Sequence, residues 1–147
     1  MRAVVTRVTS ASVAIDGIVC GAIDGGFLVL LGVGVGDTER EAVKLADKLC
    51  NLRVFEDENG KMNLNLKAAG GSILVISQFT LYGDCRQRRP GFTGAARPDV
   101  AIPLYELFMA ECFKQGFRVE HGRFGADMAV SSVNDGPVTL VLDTDAL

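Results

Sequence analysis

The sequence is poor in the residues that most often carry hydrolytic or metal chemistry. It has a single histidine, His121, and four cysteines, at positions 20, 50, 85 and 112. One histidine with scattered cysteines offers no ready ligand set, so no metal and no cofactor are expected. The cysteines form no C-x-x-C pair and no recognisable disulfide framework, which points to a reducing, cytoplasmic setting. A G-x-S-x-G nucleophile elbow is missing, and His121 falls in a glycine-containing turn between expected strands, so a Ser-His-Asp triad has no evident base. Long apolar runs are also missing. Residues 25–36 are glycine-rich and bounded by charge, short of the roughly 20 apolar residues of a membrane span. Residues 1–7 lack the apolar stretch and cleavage site of a signal peptide.

An excess of positive charge is absent as well. A net charge of −3 and a pI near 5.1 argue against a protein that holds nucleic acid by bulk electrostatics. One local basic patch stands against this background: Arg86, Arg88, Arg89 and Arg97, with no acid between Cys85 and Pro98. Taken alone, a solvated loop explains such a patch equally well.

What is present is a chain of 147 residues, 48% hydrophobic and 22% charged, which suits one globular domain over residues 1–147 and excludes disorder. Residues 2–8 and 12–16 read as strands. Asp16-Gly17 marks a hairpin turn into a strand at 18–23, and the apolar run 27–33 reads as a strand buried on both faces. Thr38-x-x-Glu41 is a capping box, followed by Ala42, Leu45, Ala46, Leu49 and Leu52 at helical spacing. A strand is expected over 53–57, then an Asn59-Gly60 turn and a segment whose Met62, Leu64 and Leu66 face inward. Residues 72–78 read as a second strongly apolar strand and 99–115 as a helix. Strands at 117–120, 127–133 and 138–143 complete the chain. The fold class is therefore α/β, a mixed and largely antiparallel sheet or barrel-like core with two main helices.

Few segments stand out as sites. Gly32-Val33-Gly34-Val35-Gly36-Asp37 sits where a dinucleotide-binding turn would, but Asp37 replaces its third glycine and the preceding strand follows a hairpin, so a structural turn is expected. Cys20, Cys50 and Cys112 lie in apolar patterns and are expected in the core. Cys85 lies beside arginines that would lower a thiol pKa. At Ser77-Gln78-Phe79-Thr80-Leu81-Tyr82, polar residues begin abruptly where a buried strand emerges, a common place for a site. Asn134-Asp135-Gly136-Pro137 reads as a turn between two strands.

Those last two segments together resemble the signature of the D-aminoacyl-tRNA deacylases: a Ser-Gln-x-Thr strand end, here Ser77-Gln78-Phe79-Thr80, and an Asn-x-Gly-Pro-Val-Thr segment, here Asn134-Asp135-Gly136-Pro137-Val138-Thr139. The resemblance runs along the chain, through Asn51-Leu52-Arg53-Val54-Phe55, Gly60-Lys61-Met62-Asn63 and Gly122-Arg123-Phe124-Gly125-Ala126-Asp127-Met128. One departure is the loop from Cys85 to Phe92, a residue shorter than is usual in the family, with Gly91 in place of a serine or asparagine. The resemblance implies hydrolysis of the ester between a D-amino acid, or glycine, and the 3′ end of tRNA, with L-aminoacyl-tRNA spared. Ser77, Gln78, Phe79 and Thr80 would be catalytic, Gly136, Pro137, Arg7, Phe124 and Met128 would bind substrate, and Arg86, Arg88 and Arg89 would contact RNA. It further implies a homodimer in which a cis Gly136–Pro137 turn enters the partner's site, and an attacking water activated by the substrate's own ribose 2′-hydroxyl. Two other classes fit the residues: a tRNA- or nucleotide-binding module without chemistry, and an esterase of small metabolites using Thr80 or Cys85.

Overall fold

The computed structural model describes residues 1–147. A strand of 14 residues, β1 (Arg2–Ile15), organises the sheet. Its first half pairs antiparallel with β3 (Gly26–Gly32), its second half with β2 (Ile18–Ile23), and nearly its whole length with β8 (Ala129–Asp143) on the other side. The two strands expected over 2–8 and 12–16 are thus one strand that changes partner midway. β6 (Ser72–Ser77) and β7 (Val119–His121) extend the sheet in parallel beyond β3, giving six strands. The sheet curls until β7 approaches β2, close to a barrel: a Cβ on Gly21 would lie 2.7 Å from the His121 carbonyl. β4 (Phe55–Glu56) and β5 (Met62–Leu64) form a separate small hairpin.

Local chemistry accounts for the elements. The β1–β2 hairpin turns on Asp16 and Gly17, both at positive φ (52° and 77°), the backbone a type I′ turn requires. Helix α1 (Glu39–Cys50) opens on the capping box, with the Glu41 carboxylate accepting from the Thr38 N–H at 2.7 Å and from its hydroxyl at 2.6 Å. Those two bonds, the hydroxyl's first, hold the Glu41 carboxyl below its ordinary pKa. Helix α2 (Pro98–Lys114) starts with proline at its first position, where no N–H is needed. The two helices cover one face of the sheet, where Leu45, Leu49, Leu104 and Phe108 meet Val5, Phe27, Val29 and Val75. Val13, Leu28, Leu74 and Ile76 fill the inner side of the curl. β3 and β6 are therefore buried on both faces, as their apolar runs imply.

Three sequence expectations need correction. Residues 134–137 do not separate two strands. They belong to a bulge within the single strand β8, where Thr6 pairs with Thr139 and Val8 with Asn134, so Arg7 alone faces residues 135–138. Cys20 is exposed, because its strand presents that side to solvent, whereas Cys50 and Cys112 are buried. Met62 is exposed and Leu66 fully buried, since β5 is too short to carry an alternating buried face.

Candidate active site

β6 ends at Ser77, and Gln78 still pairs as a strand residue, its N–H donating to the Leu31 carbonyl at 2.7 Å. The chain then folds into one turn of 3-10 helix, Phe79–Tyr82. The first N–H groups of such a turn, those of Phe79 and Thr80, have no acceptor within it and are free to donate outward. The Leu81 N–H returns to the Gln78 carbonyl at 3.2 Å and the Gly83 N–H to the Thr80 carbonyl at 2.9 Å, closing the turn. The Gln78 side-chain amide donates to the Thr80 hydroxyl, joining the two polar side chains.

A cleft of about 260 Å³ opens beside this turn, walled by Ser77, Gln78 and Phe79 on one side and Phe124, Ala126 and Met128 on the other. The wall is supported from behind. Phe124 packs edge-on against Tyr105 of α2 with centroids 6.0 Å apart, and the buried Tyr105 hydroxyl donates to the Val75 carbonyl at 3.3 Å. Burial, with Cys20 and Glu106 nearby, pushes that hydroxyl up to about 12, so it stays a donor at any working pH. Phe79, 54% exposed, stacks edge-on with Phe92 at 5.1 Å.

Phe92 ties the arginine loop to the cleft wall. The loop is closed by mutual Asp84–Gly91 backbone hydrogen bonds of 2.7 and 3.0 Å. Within it Arg86 is engaged by the Asp84 carboxylate, at 2.5 Å for the closest pair. That bond holds the Asp84 carboxyl below its ordinary range. Arg88 and Arg89 are exposed and in no ion pair.

The structure places Ser77, Gln78, Phe79, Phe124 and Met128 around one cleft, with Thr80 bonded to it through Gln78. It places Gly136, Pro137 and Arg7 together at a second location. The Gly136–Pro137 peptide bond is cis, and Gly136 has φ 124°. Arg7 lies against this bulge almost fully buried, donating to the Asp135 carbonyl at 3.2 Å, pairing with its carboxylate at 3.3 Å and donating to the Val54 carbonyl at 2.6 Å. Neither Gly136 nor Pro137 lines the cleft of its own chain. His121 closes β7 rather than sitting in a turn, and its Nδ1 bonds the Gly122 carbonyl at 2.6 Å. The glycine turn at 32–37 is filled by its own Asp37, whose carboxylate accepts the Gly34 N–H at 2.6 Å.

Sequence reasoning did not single out Phe92, Tyr105 or Asp135 as supports. Asp135 and Phe92 fall within segments that the resemblance marks, whereas Tyr105 carries no local signal.

The family described as D-Tyr-tRNA(Tyr) deacylase matches residues 4–143. The chain belongs to that family. It is 58% identical to the D-aminoacyl-tRNA deacylase of Thermus aquaticus over 145 residues, which is 98% of this chain and 95% of that protein. It is 55% identical to the deacylase of Brevibacillus brevis, spanning 98% of this chain and all of that one. Among solved structures, one described as c-Myc DNA Unwinding Element Binding Protein superposes with a TM-score of 0.92 at 41% identity, covering 97% of this chain and 98% of that one. A probable eukaryotic D-amino acid tRNA deacylase shares the fold at a TM-score of 0.79 and 16% identity, over 96% and 97% of the two chains. This deacylase is a hydrolase, and no helix in it is long and apolar enough to cross a membrane.

Proposed function

We propose that this chain cleaves the ester joining a D-amino acid, or glycine, to the terminal adenosine of tRNA in the cytoplasm, and spares L-aminoacyl-tRNA. The observation that carries the reading is the turn at Phe79–Tyr82, whose two opening N–H groups are free beside a cleft with an aromatic and a thioether wall. Ester hydrolysis needs donors where the carbonyl oxygen gains negative charge, and backbone N–H groups supply them without reorganisation. Water adds to the carbonyl carbon, and the Phe79 and Thr80 N–H groups stabilise the oxyanion. The ester C–O bond then breaks as the ribose oxygen takes a proton, releasing the free amino acid. Gln78 and Thr80, already bonded to each other, orient the ester or the water, which the substrate's 2′-hydroxyl activates. Phe124 and Met128 offer faces on which the terminal adenine stacks.

The same reading uses the Gly136–Pro137 bulge as the chiral filter. A pocket separates substrates that differ by a methylene by only about 1–3 kcal/mol, so attraction alone is a weak judge of chirality. A fixed backbone obstacle rejects every L side chain by collision and leaves D side chains and glycine free. The bulge is held by Arg7 but lies outside its own chain's cleft, so it serves the cleft of a second copy in a homodimer. The outer edge of β8 supports this assembly. β8 pairs only with β1, and it exposes Val133 and Val141, an edge that a second copy would cover. Arg88 and Arg89, joined to the cleft through Phe92, contact phosphates near the acceptor end, with Arg86 shared by Asp84.

The deciding experiment incubates the protein with matched D-, L- and glycyl-tRNA and follows deacylation. D- and glycyl-tRNA are expected to be cleaved and L-aminoacyl-tRNA to persist. Cleavage of all three alike would remove the chiral reading. A covalent burst with an activated ester would indicate an esterase nucleophile instead.

A further inference from the structure

The carbonyl end of the Phe79–Tyr82 turn is gripped by residues distant in sequence that the register brings to the same end of the sheet, where Arg2 pairs with Gly32 and Leu31 with Ser77. Arg2, at the start of β1, donates from Nη1 to the Leu81 carbonyl at 3.1 Å and from Nε to Asp143 Oδ2 at 2.9 Å. Its guanidinium carbon lies 4.5 Å from the centroid of the Tyr82 ring. The same ring packs on Gly34, where a Cβ would sit 2.6 Å from a ring carbon. The Tyr82 hydroxyl lies 3.5 Å from Asp37 Oδ2, the oxygen that accepts the Gly34 N–H. Burial, then the Asp37 carboxylate, raise that hydroxyl well above its ordinary pKa and keep it neutral.

We infer that Arg2 and Tyr82 are positioning residues for the deacylation: they clamp the Leu81–Tyr82 end of the turn and thereby aim the Phe79 and Thr80 N–H groups at the reacting carbonyl. The inference rests on the proposed role of those N–H groups. The turn is four residues long and internally hydrogen-bonded, so a rotation at one end is passed to the other. Its N–H end is tied to the sheet at Gln78, whose N–H pairs with the Leu31 carbonyl at 2.7 Å, while Phe79 itself is largely exposed and its ring meets the loop residue Phe92. With one end fixed at Gln78, the C-terminal grip on Leu81 and Tyr82 sets the remaining rotation of the unit. Donors of this kind act over about 2.7–3.1 Å. A displacement of about 1 Å can cost up to roughly 100-fold in rate.

Steady-state deacylation by Arg2→Met and Tyr82→Leu, with Arg2→Lys as the conservative variant, tests the clamp. In both disruptive variants kcat is expected to fall about 10- to 100-fold, with KM for D-aminoacyl-tRNA within about twofold of the parent. The double variant should lose little more than either single one, because both act through one turn. Arg2→Lys should recover part of the loss, since an ammonium still donates to the Leu81 carbonyl. In parallel, the backbone amide resonances of Phe79 and Thr80 should shift in Arg2→Met and Tyr82→Leu while those of Val29 and Leu45 stay in place. A raised KM with a weakened salt dependence and unchanged kcat in Arg2→Met would make Arg2 an RNA contact and overturn the inference. Unmoved Phe79 and Thr80 amides would overturn it equally. If the parent protein cleaved no D-aminoacyl-tRNA while these amides still shifted, the clamp would stand and the deacylase reading would fall.

Discussion

Arg7 shows how one buried charge sets the shape of the β8 bulge, the segment proposed to filter substrates. Its Nε is held by Asp135 and its Nη1 by the Val54 carbonyl, and a Cβ on Gly136 would come 3.0 Å from its Nη2. With φ at 124°, position 136 suits glycine for backbone reasons as well. Arg7→Met strips the Val54 carbonyl and Asp135 of their partners, and a loss of about 2–4 kcal/mol is expected by urea denaturation. The same variant should hydrolyse L-aminoacyl-tRNA more readily while retaining most of its D activity. Unchanged discrimination would show that the bulge keeps its shape without Arg7. At Gln78 and Thr80 the expected loss on alanine substitution is about 10²–10³-fold in kcat or less, the size of one lost oxyanion donor. A far larger loss at Thr80 would mark it as a nucleophile. The cysteines divide cleanly. A hydrogen bond with Cys50, then burial, raise the Cys112 thiol well above its ordinary pKa, whereas Cys20 and Cys85 are exposed. A thiol reagent should therefore titrate Cys20 and Cys85 at once and Cys50 and Cys112 only on unfolding.

Among the elements, α2 does more than cover the sheet. Its Tyr105 sits between Val75 of β6 and Phe124 of the cleft wall, so the helix supports the surface on which the adenine is proposed to stack. Tyr105→Leu should raise KM several-fold with kcat nearly unchanged, and Tyr105→Phe should cost stability by about 1 kcal/mol without moving KM. A fall in kcat without a change in KM would place Tyr105 nearer the chemistry than the geometry does. Elements written in local residues were legible in the sequence: the Asp16-Gly17 hairpin, the Thr38–Glu41 capping box, the doubly buried β3 and β6. Elements decided by distant partners were not. Thr9 and Ser10 read as a break, yet β1 runs through them because β8 pairs across the gap, Val8 with Asn134 and Ser10 with Val133, before β2 takes over from β3 on the other side. Asn134-Asp135-Gly136-Pro137 has the composition of a turn but becomes a bulge, since β1 continues to pair on both sides of it and Arg7 fills the gap. The cleft was legible at Ser77–Thr80 and, by resemblance, at Phe124 and Met128. Nothing local marks the contacts of Arg2, Tyr82 and Phe92, because they span 79, 48 and 13 residues of chain.

At the scale of the whole molecule, the cleft and the bulge proposed as its chiral filter belong to one chain but do not meet within it. A homodimer resolves this only if each bulge guards the other subunit's cleft. That arrangement differs in a measurable way from one in which the bulge guards its own. Consider a live-cleft chain whose filter is lost, Gly136→Ala with Pro137→Ala, and a dead-cleft chain with an intact filter, Gln78→Ala with Thr80→Ala. Homodimers of the first should hydrolyse L-aminoacyl-tRNA as well as D. When it is refolded with about a tenfold excess of the second, nearly every live cleft lies in a heterodimer. If the filter acts across the interface, each live cleft then receives an intact bulge, so L hydrolysis collapses while D hydrolysis per live cleft is kept. If the filter acts within its own chain, the live cleft remains unguarded and L hydrolysis persists at any mixing ratio. Sedimentation of the mixture checks that heterodimers have formed, and a purely monomeric protein would dismiss the cross-subunit filter outright.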